Sequence, residues 1–175
     1  MSGRNEARLM ADIEGEFLVF VVELRIYQWW RFWKWLPVVR AMGGMLTELM
    51  KKPELGLLNF EYWFAFRRQV FLMYWRSYEH MHDWVLDKGA THMAGWKMLN
   101  QLMKDSPKVL GFWHESYVIQ PHQYEAFYRN VPTVGLGQAG TLVPLQGRAT
   151  TAAARLRETR RKTAPLTSTK LTPTQ

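Results

Sequence analysis

The stretch GFWHESYVI, Gly111 to Ile119, sets an imidazole and a carboxylate side by side inside a strand-like run of aromatics. Successive strand residues point to opposite faces of a sheet. Phe112, His114, Ser116 and Val118 therefore share one face, and Trp113, Glu115, Tyr117 and Ile119 the other. The pair cannot act on one atom: one member could serve as a general base toward whatever the sheet covers, and the other looks away. The same period-two reading gathers Glu23, Arg25, Asn59, Glu61, Trp63, Tyr74 and Arg76 on one mixed face. Such a set supplies the types that proton abstraction needs, a base together with a cation or donor for the developing oxyanion.

The elements that must position these groups follow from periodicity. Glu16 to Tyr27 (EFLVFVVELRIY) predicts a first strand. From Arg31 to Met50 the spacing turns helical, with Trp35, Val38, Val39, Met42, Met45, Leu46 and Leu49 as an apolar stripe ended by KKP. Pro37 falls near the start of that helix, and Trp29 to Trp35 are compatible with an irregular lead-in. Two aromatic runs flanking Arg67, Arg68 and Gln69 predict a hairpin. Ser77 reads as an N-cap with His80 at N3, opening a helix to about Met103 that Lys88-Gly89 could interrupt, and Ser106-Pro107 ends it before the quoted strand. The order β-α-β-β-α-β is the split βαβ, a ferredoxin-like α+β fold.

In such a fold two helices cover one face of the sheet. The wholly apolar sides of the strands, Leu18, Phe20, Val22, Leu24 and Ile26 in the first, Leu58, Phe60, Tyr62, Phe64 and Phe66 in the second, and Phe71, Met73 and Trp75 in the third, belong there. Leaving the aromatics and Met of the mixed face in water costs roughly 25 cal/mol per Å², so a partner sheet is expected over it. Two sheets packed face to face enclose a small barrel and a cavity, the default place for a ligand. A buried carboxylate beneath helices is costly without a partner. Glu115 is therefore expected on the mixed face and His114 beneath or beside the helices; the reverse assignment makes His114 the cavity base.

With 175 residues the chain has the length of one domain. Its net charge of +8 is uneven: residues 141–175 carry seven basic residues (Arg148, Arg155, Arg157, Arg160, Arg161, Lys162, Lys170) against Glu158, leaving 16 basic and 14 acidic residues in 1–140. The basicity thus belongs to a tail, which argues against a nucleic-acid-binding face on the domain. The expected organisation is a polar segment 1–15, a barrel domain 16–140, and a basic, disordered tail 141–175 with a helix-compatible stretch at Ala152–Lys162. The absence of Cys excludes disulfides and thiolate metal sites. The polar start lacks the apolar core of a secretory leader, and FLVFVV is too short to span a bilayer, so a cytoplasmic protein without a membrane partner is expected.

The motifs RFWKWLPVV, ELMKKPELGLL, YWRSYEHM, THMAGW, WHESY and YEAFYRNVPTVGLG, in that order over residues 16–140, resemble a family of small bacterial and fungal monooxygenase-like proteins. That family was formerly catalogued as a domain of unknown function and includes a fumagillin-pathway oxygenase. It lies in the dimeric α+β barrel superfamily with the antibiotic-biosynthesis monooxygenases. The resemblance implies a homodimer and an oxygenase of secondary metabolism, acting on a small aromatic or polyketide-like substrate and dioxygen without metal or flavin. Cofactor-free quinone-forming members of the superfamily use an Asn and a Trp lining the barrel, and Asn59 and Trp63 match those types. By the same resemblance, with His114 or Glu115 as base, Arg76, Tyr74 and Glu61 would line the substrate. WRSYEHMHDW also resembles the segment in which haem-degrading oxygenases place a haem-contacting Trp, here Trp84. Their axial His falls where this chain has Ala94, with His92 two residues short, and their first-strand Asn is replaced by Leu24. Haem on His92 and Trp84 is the alternative reading, and a non-catalytic small-molecule-binding or dimerisation module is the third.

Other motifs read as structure. His80 and His82 lie two apart on a helix and do not converge on a metal. His122 reads as a loop residue. Gly135, Gly137 and Gly140 spell GxGxxG, yet no Rossmann strand precedes them and Pro144 follows where a helix should run, so no nucleotide is expected. WWRFWKW, Trp29 to Trp35, mixes aromatics and cations as a membrane-facing segment would, and is expected instead to be a packed cap.

Overall fold

The computed structural model describes residues 6–121, 123–145 and 151–161; His122, Arg148, Lys162 and Lys170 lie outside them. In chain order the elements are β1 (Leu9–Asp12), β2 (Phe17–Ile26), α1 (Phe32–Lys51), a 3-10 turn at Pro53–Leu55, β3 (Leu57–Ala65), β4 (Arg68–Trp75), α2 (Tyr78–Leu86), α3 (His92–Asp105), β5 (Leu110–Ile119), α4 (Leu136–Ala139), β6 (Thr141–Pro144) and α5 (Ala152–Arg161). The main sheet is antiparallel with order β3-β4-β2-β5, the ferredoxin-like arrangement expected for this element order.

The local signals act as their chemistry requires. Pro53 disfavours helical backbone at Lys52, so α1 stops there. Gly56 follows at φ 92° with the Cβ of His80 lying 2.6 Å from where its own Cβ would stand, so only glycine fits. The Ser77 hydroxyl accepts the His80 amide at 3.4 Å and starts α2. The long second helix is broken at Asp87–Thr91, and the Glu48 carboxylate on α1 accepts the Thr91 amide at 3.0 Å beside the start of α3.

One face of the sheet is sealed by α1, α2 and α3. Leu18, Val22, Phe71, Met73 and Trp75 pack there on Leu46, Leu49, Met81 and Trp84, while Leu24 meets Val38, Leu99 and Val109. This is the apolar side that period two predicts, with two changes. Tyr62, Phe64 and Phe66, expected beneath the helices, are exposed. The register shifts between Leu57 and Asn59, so Leu57 joins the helix layer and Leu58 turns to the opposite side.

The opposite, mixed face departs further from expectation. Residues placed in a polar lead and a basic tail by the sequence pair instead as β1 and β6, Leu9 opposite Pro144 and Asp12 opposite Thr141. Leu9 and Ala11 are buried against Phe17, Tyr74, Tyr128 and Leu136, forming a second core. The chain's own ends thus cover half of the face for which a partner sheet was expected. Apolar residues in a short strand with little periodicity gave no signal of this. Nor do Trp29, Trp30, Phe32 and Trp33 form a packed cap, because all four are exposed. The helix stripe starts only at Trp35, so the residues before it have no element to pack under.

Candidate functional site

Register places the mixed-face side chains in rows across β3, β4, β2 and β5. One row is Trp63, Val70, Glu23, Trp113; the next is Glu61, Leu72, Val21, Glu115; the third is Asn59, Tyr74, Val19, Tyr117. With strands about 4.8 Å apart, each row spans roughly 14 Å. Glu115 shares the mixed face with Glu23 and Trp63, whereas His114 lies on the helix side between the Phe20 and Phe112 rings, at 5.4 and 5.7 Å. β5 is an edge strand whose outer half the helices do not reach, so His114 is exposed despite its face.

The first row holds the strongest electrostatic feature of the face. Glu23 is fully buried and accepts the Arg68 guanidinium through both oxygens at 2.9 and 2.6 Å, and Arg25 Nε at 2.8 Å. The Arg68 hydrogen bonds, aided by Arg25 and opposed by burial, lower its carboxyl to about 2. Glu23 is therefore a fixed anion that holds two guanidiniums at the sheet surface, not a titrating base. Arg68, absent from the expected set, completes this triad; its parity with Val70 and Tyr74 was the available signal. Trp63 and Trp113 flank the row from β3 and β5, both partly exposed.

Further along the face, α4 sits on the predicted polar residues. Asn59 donates from Nδ2 to the Gly135 carbonyl at 3.0 Å, and Glu61 Oε1 accepts the Gly135 amide at 2.6 Å. Tyr74 is buried beneath the same segment, and burial, then Tyr128 and Glu61, push its hydroxyl up to about 12. Gly135 takes φ 57°, and a Cβ there would meet the Tyr74 hydroxyl at 3.3 Å. The GxGxxG run is thus a close-packing device: a Cβ on Gly137 would lie 2.7 Å from Leu142, and one on Gly140 2.4 Å from the Asp12 carbonyl. Asn59 and Trp63 share a face but stand four residues apart, roughly 13 Å along the strand, and only Trp63 lies clear of α4.

Arg76 lies beyond the third row, some six residues, or roughly 20 Å, along β4 from the position facing Trp63. It lines a separate crevice of ≈ 380 Å³ with Asp12, Glu14, Glu16, Phe17 and Leu58. One small molecule cannot touch Arg76 and Trp63 together. On the open side, the Tyr117 hydroxyl donates to Glu115 Oε2, and that hydrogen bond raises the Tyr117 pKa.

His92 and Trp84 belong to the helix layer. The His92 ring packs 4.3 Å from Trp84, its Nε2 faces the Val85 carbonyl at 3.0 Å, and its Nδ1 is buried without a partner. Neither nitrogen faces the mixed side, so as placed the residues do not fit an axial haem ligand in a barrel cavity. His80 Nδ1 meets the Ser77 hydroxyl at 3.0 Å and His82 stacks on Tyr78. Among the described residues, no three His, Cys, Asp or Glu side chains are grouped to hold a metal ion.

The family model described as Monooxygenase af470-like matches residues 17–136. No curated protein matches the sequence. Among solved structures, aldoxime dehydratase OxdRE in complex with butyraldoxime is similar over 80% of this chain, at 11% identity and a TM-score of 0.61; this chain spans 40% of that protein's length. A Bacteroides thetaiotaomicron protein of unknown function, described as a possible oxidoreductase, is similar over 60% of this chain and 99% of its own, at 9% identity and a TM-score of 0.44. A Shewanella oneidensis protein is similar over 62% of this chain and 95% of its own, at 15% identity and a TM-score of 0.41. At such identities the aldoxime dehydratase likeness speaks for the fold alone.

Proposed function

The chain belongs to the Monooxygenase af470-like family, and from that premise we propose that it is a homodimeric, cofactor-independent monooxygenase acting on a small aromatic or polyketide-like substrate. The open half of the mixed face is the substrate wall, closed by the same face of a second copy. The observation that carries the reading is the row Trp63, Val70, Glu23, Trp113, in which two indoles flank a buried anion that fixes two guanidiniums.

Its chemistry is that of an electron-rich phenol or enol. The indoles stack on a flat substrate. Glu115, in the adjoining row, takes the phenolic proton, and Arg25 and Arg68 stabilise the resulting anion. The substrate anion reduces dioxygen and forms a carbon–oxygen bond; loss of water from the peroxide leaves one oxygen atom in a quinone-type product. All four electrons that dioxygen accepts come from the substrate. Asn59, held by Gly135, acts in this scheme as a latch for α4 rather than as a donor to substrate.

The test is oxygen uptake by the purified full chain with a panel of naphthols and related phenols, in the presence of a chelator and with labelled dioxygen. One labelled atom per product, and a fall of about tenfold or more in kcat/KM for Trp63→Ala and Glu115→Gln, are expected. No uptake, together with a stoichiometric Soret band from added haemin that His92→Ala abolishes, would overturn the proposal in favour of haem.

A further inference from the structure

At the end of the sheet where β2 runs into α1 and β3 turns into β4, the structure leaves an aromatic cluster in water. Trp30, Phe32, Trp33, Phe64 and Phe66 are 52, 55, 60, 64 and 64% exposed, and Trp29 lies among them with its ring 5.5 Å from Phe66. At about 100 Å² of open ring surface each, the patch reaches roughly 600 Å², the upper end of what a monomer exposes without a use. The same end carries the cations Arg31, Lys34 and Arg67. Arg67 lies 5.9 Å from the Phe66 ring, and the Arg67 carbonyl accepts the Ile26 amide at 2.8 Å, which ties the two segments together. The Glu23 carboxylate is taken up by Arg25 and Arg68, and Asp105 lies to the α3 side, bonded to Gln101. α1 begins here with no acidic residue in its first turn, so its dipole adds to the positive field.

We propose that this end is a peripheral docking surface for an anionic lipid bilayer. Trp-rich aromatics seat at the level of the headgroups, where one edge is apolar and the other wet. Cations around them meet lipid phosphates and acidic headgroups. Charge decides against a second copy as occupant: two such ends brought together would face three cations with three, whereas an anionic surface complements them. Contact is peripheral, since among the described residues no helix is long and apolar enough to cross a membrane. This replaces the expectation of a packed cap and of no membrane partner. The surface lies past the row of Trp63 and Trp113, so docking leaves the proposed substrate wall free.

The test is sedimentation of the full chain with vesicles of three parts phosphatidylcholine to one part phosphatidylserine, alongside phosphatidylcholine alone. Binding to the mixed vesicles is expected, with a blue shift of tryptophan emission and weakening by salt. Trp33→Gln with Phe66→Ser should lower vesicle affinity about tenfold or more while leaving the far-ultraviolet circular dichroism unchanged; Trp30→Gln is the second variant should that pair disturb folding. Failure to sediment with the mixed vesicles, or binding that these variants leave intact, would overturn the proposal. So would wild-type self-association that the same double variant abolishes without lipid, which would assign the patch to a second copy.

Discussion

Glu23 gives the mixed face its pH dependence. Its folded pKa of about 2 lies below the ordinary 4.5 because Arg68, then Arg25, hold the anion. In between, the unfolded chain takes up the proton more readily than the folded one. The stabilisation is therefore complete above about 4.5 and is lost as pH falls toward 2. Glu23→Gln should destabilise by about 1–2 kcal/mol at neutral pH, at the low end for charged hydrogen bonds because both guanidiniums are half in water. The gap between wild type and variant in thermal melting should close as pH drops through that window; a gap that stays constant would show that the carboxylate's charge contributes nothing. Parity separated His114 from Glu115, and the cost of a carboxylate beneath helices assigned Glu115 to the face of Glu23. Parity could not reveal that Glu23 is neutralised, because Arg68 lies 45 residues away and meets it only through the β2–β4 register.

Among the elements, α4 decides which residues of that face remain open. It is four residues long and held by its glycines: Gly140 passes so near the Asp12 carbonyl that a Cβ would stand 2.4 Å from it. Gly140→Ala should cost about 1–3 kcal/mol as the backbones of β1 and β6 are forced apart. Gly43→Ala, in the middle of α1 with nothing within 4 Å of the added carbon, should instead stabilise by about 0.5–1 kcal/mol. Urea unfolding midpoints of the two variants should therefore move in opposite directions; a Gly140→Ala chain as stable as wild type would mean that the contact yields without cost. The strands and the three helices were legible because each carries a period of 2 or 3.6 over eight or more residues. β1, α4 and β6 are too short to show a period. Their burial depends on contacts about 130 residues apart, such as Asp12 with Thr141, which local pattern does not encode. The packing role of the GxGxxG run emerged only from what stands beside each glycine.

At the scale of the whole molecule, self-covering takes half of the mixed face, and the proposed dimer takes the other half. The half under α4, β1 and β6 needs no second chain. The half bearing Trp63, Trp113 and Tyr117 keeps apolar surface in water beside the Glu23–Arg25–Arg68 triad. In the proposed dimer, a second copy on that half removes the surface and creates the enclosed space in which charge stabilisation of an anion is effective. Trp113 sits on edge strand β5, where a charge does not disturb the helix-side core. Trp113→Glu should therefore leave the fold intact and set a carboxylate beside the partner's apolar face, a desolvation cost of several kcal/mol. Light scattering during size exclusion should give twice the mass of one chain for wild type and a single-chain mass for the variant. The aromatic end that Trp33→Gln and Phe66→Ser alter should leave that mass unchanged, because its cations repel a second copy. A wild-type chain of single mass at tens of micromolar would remove the barrel and require the substrate wall to work open to water, where Arg25 and Arg68 would be too screened to hold an anion.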